Sequence, residues 1–326
     1  MKHIFVVLWF FGFLIFHKGI FAQFAPPVGV TGTTAMYKDS SVFVAWAVKC
    51  NVIRGFQDIS VPASGYADVG DSSLATGKAG TNGVVSLGDG GFSVLQFNMP
   101  IIDGDGPDFA VFENSFDGQF LELAFVEVSS DGVNFFRFPA ISNTDTTLQT
   151  WSFGLTDATK INNLAGKYKA EYGTPFDLSD ISDNVLLNKQ AITHIKIMDV
   201  VGCLQNQYCT RDVNGNKIND PWPTAFGSGG FDLDAVGVIH QKSVGVEELQ
   251  LSNVSVYPNP ATDMIHVNFK STNYSIIVTN GIGEIVLRAD NKSNFTSLPI
   301  FNLAQGIYHL TIISNGKQKQ FKFIKP

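Results

Sequence analysis

Between residues 41 and 240, apolar and polar residues alternate in short runs and do not recur every three or four positions. The runs are SVFVAWAV (41–48), GVVSLG (83–88), FSVLQFNM (92–99), DFAVFEN (108–114), LAFVEVSSDGVNFFRFP (123–139), ITHIKIMDVV (192–201) and DAVGVIH (234–240). A period of two places alternate side chains on one face, the pattern of a half-buried strand. Each run is bounded by Gly, Asp, Asn or Pro, the residues that end strands and make turns. The best helix candidate is TDATKINNLAGKYKAEYG (156–173), and Gly166 interrupts even that. The pattern predicts an all-β body folded as a jelly-roll-like β-sandwich, with Phe109, Val111, Val126 and Val128 facing a shared interior. Asp131-Gly132 supplies the turn of a hairpin between two of these runs.

A second alternating region follows: VSVYPNPATDMIHVNF (254–269), YSIIVTNGIGEIVLR (274–288) and FNLAQGIYHLTIISNGKQKQFKFIKP (301–326). NGIG and SNGK are turn sequences, and Pro258 and Pro260 favour an extended lead into the first strand. This predicts a small Ig-like β-sandwich over 253–326. The more polar, less regular 241–252 reads as a linker, leaving 23–240 as the body. Residues 1–22 are expected to be a secretory signal peptide: a basic Met1-Lys2-His3, an apolar run from Ile4 to Phe16, and Ala22 as a small residue for cleavage. Thirteen apolar residues are too few to span roughly 30 Å of hydrocarbon, and no later run reads as a transmembrane segment.

Composition sharpens this picture. The 31 glycines and 28 phenylalanines in 326 residues suit an all-β chain rich in turns. Residues 23–252 hold 13 Lys plus Arg against 26 Asp plus Glu, whereas 253–326 hold seven against three. An acidic body argues against nucleic acid as a partner, because a phosphate backbone calls for Lys and Arg. Cys203 and Cys209 are expected to form a disulfide in an oxidising compartment, leaving Cys50 as a small buried hydrophobe.

Two regions carry resemblances to known proteins. Tyr257-Pro258-Asn259-Pro260, the later Gly-Ile-Tyr (306–308) and the Lys-rich KQFKFIKP terminus resemble the type A sorting domain of the type IX secretion system. The resemblance implies an export address recognised by that machinery, with the cargo released or attached to surface lipopolysaccharide. An address of this kind says where a protein goes and not what it does. The strand-turn-strand VEVSSDGVNFF is similar to an element of galactose-binding-like sandwiches, and the body as a whole resembles uncharacterised bacterial cell-surface proteins. Some surface sandwiches of such bacteria capture corrinoids or glycans, which makes these the candidate ligands.

Candidate chemistry is sparse. Asp212, Asn214 and Asn216, with Asp220 further on, alternate as oxygen ligands do in the first half of an EF-hand or dockerin loop. Lys217 stands where such a loop needs Gly, and the competing reading is a plain Asx turn. Asp103, Asp105 and Asp108 form a second candidate calcium loop, against the reading of an exposed, water-screened turn. Asp232 and Asp234 share a strand face and are expected to point outward or cap the sandwich. No nucleophile elbow and no phosphate loop is present, and GDGG (88–91) and GSGG (227–230) read as turns. Trp151, Tyr172, Trp222 and Phe226 lie in or beside loops and are the candidate ligand-binding aromatics, with the alternative that they plug the sandwich ends.

Three readings follow. The leading one is a secreted or cell-surface, non-catalytic binding module stiffened by Ca2+, with no organic cofactor. The second is a glycan hydrolase using carboxylates such as Glu113, Asp232 or Asp234, which would need two of them about 5 to 10 Å apart across a cleft. The third is a structural surface or matrix component.

Overall fold

The computed structural model describes residues 24–242, 254–270, 273–291, 293–314 and 317–326. The expected signal peptide and nearly all of the expected linker lie outside the described residues. The chain divides into two compact units, Met1–Lys242 and Ser243–Pro326.

In chain order the strands of the first unit are β1 (Met36–Tyr37), β2 (Ala45–Trp46), β3 (Lys49–Ile53), β4 (Val85–Ser86), β5 (Phe92–Ile101), β6 (Phe109–Glu113) and β7 (Ala124–Ser129). They continue with β8 (Phe136–Arg137), β9 (Ile141–Ser142), β10 (Ile161–Asn162), β11 (Tyr172–Phe176), β12 (Ile192–Asp199) and β13 (Asp232–Val238). One antiparallel sheet runs β1-β11-β6-β13-β2, with β4 also on β13, and the other runs β3-β5-β12-β7-β8. Phe109 and Val111 from the first sheet meet Val126, Val128, Ile195 and Ile197 from the second in one core, as the alternation predicts. Within it the rings of Phe109 and Phe176 stack, and Phe138 meets both edge-on.

The strands β6, β7 and β13 are buried on both faces. Loops cover the outer faces: Phe112 and Ala235 pack under Phe43 and Trp46, and Phe125 packs with Leu121, Leu123, Ile161 and Leu164. This wrapping corrects one expectation. Asp232 and Asp234 are buried, because the backbone N–H of Gly80 donates to Asp234 and the Ser86 hydroxyl to Asp232.

The helix candidate at 156–173 does not form a helix. A short 3-10 turn at Ala158–Lys160 is capped by Asp157 and gives way at once to β10. Asn163, Gly166 and Glu171 take positive φ, which no helix tolerates. The hairpin at Asp131-Gly132 forms, with the Asp131 carboxylate accepting from the N–H groups of Val133 and Asn134 at 2.8 Å.

The second unit is a smaller sandwich. Its strands are β14 (Val254–Tyr257), β15 (Met264–Phe269), β16 (Tyr274–Thr279), β17 (Ile285–Asn291), β18 (Phe295–Pro299), β19 (Gly306–Ser314) and β20 (Lys317–Lys325). Sheets β14-β15-β18 and β17-β16-β19-β20 enclose Ile265, Val267, Ile276, Val278, Leu310 and Phe323. Asn259 of the Tyr257–Pro260 motif ties the first turn to the last strand: its amide donates to Lys322 O (3.1 Å) and accepts from Ile324 N (3.0 Å).

Candidate functional site

Strand register gathers the chemistry at one end of the first sandwich. β6 ends at Glu113, which lies opposite Leu233 at the start of β13. β12 ends at Asp199, which lies opposite Ala124 at the start of β7. The β6–β7 loop (114–123) and the long β12–β13 loop (200–231) therefore leave from the same end.

Carboxylates crowd that end, buried among apolar residues. Asp199 bridges the two sheets, accepting from Phe231 N at 2.8 Å and Gly90 N at 3.0 Å. Asp89 accepts from Ile59 N (2.9 Å) and Trp222 Nε1 (3.2 Å). Asp220 accepts from Leu123 N (3.1 Å), and Glu113 from Ser115 N (2.8 Å). Burial pushes Asp199 up to about 8, with the charges of Asp89 and Asp232 adding to it, and pushes Asp89 up to about 6, with that of Asp58 adding to it. Burial also pushes Asp232 up to about 6, and drives Glu113, Glu122 and Asp220 well above the carboxylate range. Sequence reasoning missed Glu122, Asp199 and Asp89. For Glu122 a signal existed, since it is a lone acid inside the apolar run Phe120–Val126.

Aromatic rings edge the same loops. Phe116 stacks on Phe120 (4.9 Å), Phe120 on Phe153 (6.2 Å), and Phe153 meets both Trp151 (5.6 Å) and Phe226 (5.7 Å). Phe116, Trp151 and Phe153 are more than half exposed, and Phe226 nearly so. Hydrogen bonds from Thr156 N to Gln119 O (2.7 Å) and from Trp222 N to Thr150 O (3.0 Å) join the 148–156 segment to the two loops. A groove of about 580 Å³ adjoins this rim, with Trp151 on one wall and Asn143, Thr144, Asp145 and Gln149 among its polar lining.

Of the aromatics singled out from sequence, Trp151 and Phe226 join the rim through Phe153. Trp222 does not: it is 9% exposed, its indole N–H is held by Asp89, and it packs on Val201 and Cys203. Tyr172 sits on β11 against Tyr37 and belongs to no part of the rim.

The expected calcium loops take other shapes. Asp212 accepts from Asn214 N, Asn216 N, Ser142 N and the Asn216 amide, so its oxygens are occupied by the chain itself. Asn214 and Asn216 are exposed, and Asp220 turns the other way, toward Leu123. The four do not form one ligand set, because the Asx turn at Asp212 and the burial of Asp220 separate them. Asp103 and Asp108 do converge with Asp177, their ligand atoms lying within 4.8 Å, while Asp105 is exposed and outside that set. Asp108 is completely buried and takes hydrogen bonds from Gly104 N, Leu178 N and His240 Nδ1, all at 2.8 Å. It locks the 103–107 turn to the body.

Cys203 and Cys209 form no disulfide in the structure; all three cysteines are free thiols. Cys203 points into the pocket under Trp222, whereas the Cys209 thiol donates outward to Asn206 O. Cys50 is the expected buried hydrophobe, its thiol pushed up to about 12 by burial.

The fold and its two separate cores define an all-β chain of two β-sandwich units. Residues 255–326 match the family model of the secretion system C-terminal sorting domain. The terminal unit is therefore a sorting domain of the type IX secretion system, and the chain is secreted or held at the outer cell surface. Among the described residues no helix is long and apolar enough to cross a membrane. No curated protein matches the chain. Solved structures similar to parts of it include PorZ, a surface component of the type IX secretion system of Porphyromonas gingivalis. That match is 18% identical over 28% of this chain and 14% of that one, with a TM-score of 0.22. A Faecalibacterium prausnitzii β-glucuronidase is 11% identical over 72% of this chain and 37% of that one, with a TM-score of 0.22. A Ruminococcus gnavus β-glucuronidase bound to D-glucaro 1,5-lactone is 13% identical over 93% and 47%, again at 0.22. The chain spans less than half the length of each of these, and scores this low carry no argument about what the body does.

Proposed function

We propose that the body is a non-catalytic binding module, displayed or released at the cell surface, that takes a glycan across the aromatic rim and the groove beside Trp151. The contiguous exposed rings of Phe116, Trp151, Phe153 and Phe226 carry this reading. Flat aromatic faces stack on the apolar faces of sugars at little entropic cost, and the polar groove supplies hydrogen-bonding groups for hydroxyls. The placement of the acids favours binding over hydrolysis. The two acids that line the groove beside Trp151, Asp145 and Asp157, are taken up by their own turns, accepting from Thr147 N and from Thr159 N and Oγ1, while Glu113, Glu122, Asp220 and Asp232 are buried and do not line it. A glycosidase needs two carboxyls facing the scissile bond.

The test is calorimetric titration of the mature protein with a panel of bacterial and host polysaccharides. Saturable binding to at least one is expected. Replacing Trp151 and Phe153 together by alanine should weaken it at least ~10-fold, as loss of aromatic stacking does. Because both rings are exposed, the melting temperature should not change. Unaltered affinity in that variant, or release of reducing sugar from the polysaccharide, would overturn the reading.

A further inference from the structure

Most of the buried carboxylates in the body are answered by the chain itself. Glu127 is paired with Arg137 and Lys196. Asp108, Asp199 and Asp212 have both oxygens hydrogen-bonded. Three at the loop end are different. Glu113 is 1% exposed and its Oε1 has no hydrogen-bond partner among the described residues, while its Oε2 accepts from Ser115 N. Asp220 is 4% exposed and its Oδ1 is likewise unpartnered. The nearly buried Glu122 carboxylate accepts no hydrogen bond among the described residues. Glu122 feels the charges of Glu113 and Asp220, Asp220 feels that of Glu113, and the leading influences on the three include no lysine or arginine. The one basic group acting on the neighbouring Asp232 is Arg54, whose guanidinium is committed to the carbonyls of Val69, Gly70 and Ser86.

An unpaired charge with unsatisfied oxygens is among the most expensive things a protein can bury. We propose that Glu113, Glu122 and Asp220 bind a calcium ion between the β6–β7 and β12–β13 loops. The donors are all hard carboxylate oxygens with no nitrogen or sulfur, which suits calcium and not zinc. The dry surroundings disfavour magnesium, which keeps several of its waters. The three stand further apart than the 4.8 Å of the Asp103, Asp108 and Asp177 set, so the ion would draw them together. Glu122, held by no hydrogen bond, is the one with freedom to move. The Asp103 set is the weaker candidate, because every oxygen of Asp108 already has a donor. An ion at Glu113, Glu122 and Asp220 would clamp the loop carrying Phe116 and Phe120 to the loop carrying Phe226. The site does not depend on the glycan reading.

The test uses the full mature chain, stripped with chelator and titrated with calcium chloride alone. One ion per chain is expected, with a dissociation constant at or below ~1 mM, the range of extracellular modules. At about 100-fold excess over that constant, the melting temperature of the body should rise by roughly 5–10 °C. Glu113→Gln and Asp220→Asn should each abolish the rise. In chelator they should melt at or above the parent, because each removes a carboxyl that is costly to bury. If either fails to fold, Glu122→Gln replaces it. Asp103→Asn and Asp212→Asn should keep the full rise. No binding by the parent chain would overturn the proposal. So would a rise that survives in both Glu113→Gln and Asp220→Asn, or one that is lost only in Asp103→Asn.

Discussion

The fate of a buried carboxylate here is decided by which donors its neighbours supply. Glu127 shows the balance most clearly. Burial raises its pKa, yet hydrogen bonds and charge from Lys196 (2.6 Å) and Arg137 (2.7 Å) outweigh burial and hold it below the usual carboxylate value. A group whose folded pKa is depressed contributes stability that is fully present above its unfolded pKa and is lost as pH falls through the folded value. Glu127→Gln should therefore destabilise the body by about 2 kcal/mol at pH 7, the scale of a charged hydrogen bond. The difference from the parent should shrink progressively below about pH 4. Denaturant melts at pH 7, 4 and 3 check this, and a constant difference would rule the ion pair out as the cause.

At the scale of elements, short strands owe their burial to the loops laid over them. The segment around Ala165 is one such cover, with its backbone exchanging hydrogen bonds with Ala124 at the start of β7 (2.9 and 3.2 Å). Gly166 follows with φ of 79°, and a Cβ there would lie 1.8 Å from Glu122 O. Both the left-handed conformation and the close approach require glycine. Gly166→Ala should cost about 3 kcal/mol, combining backbone strain with overpacking. By shifting Glu122, it should also blunt the calcium response. A urea melt of this variant comparable to the parent would show that the loop yields more easily than its contacts imply.

For the whole molecule, cargo and address are built as separate cores. Deleting residues 253–326 should leave a body that still melts cooperatively but stays in the periplasm, because the sorting domain lies wholly within the deleted part. Cell fractionation with an antibody against the body reads this out. Truncated protein at the cell surface or in the medium would contradict the role of the terminal unit.

Much of this was legible in the chain. Local alternation and turn residues set the strands, including the core faces of β6 and β7, because a period of two needs no knowledge of partners. The Tyr257–Pro260 motif and the basic terminus marked the export address for the same reason, being contiguous. The helix candidate at 156–173 carried its own warning in Gly166. The free cysteines did not, since only the packing under Trp222 turns Cys203 inward. Tertiary structure alone decided the acids. Glu113 and Glu122 flank one loop, but Asp220 comes from the β12–β13 loop and reaches the same end only because antiparallel register returns β6, β7, β12 and β13 there. Whether a carboxylate there is hydrated, hydrogen-bonded or left unpaired depends on what the loops bury, and single residue types carry no record of that.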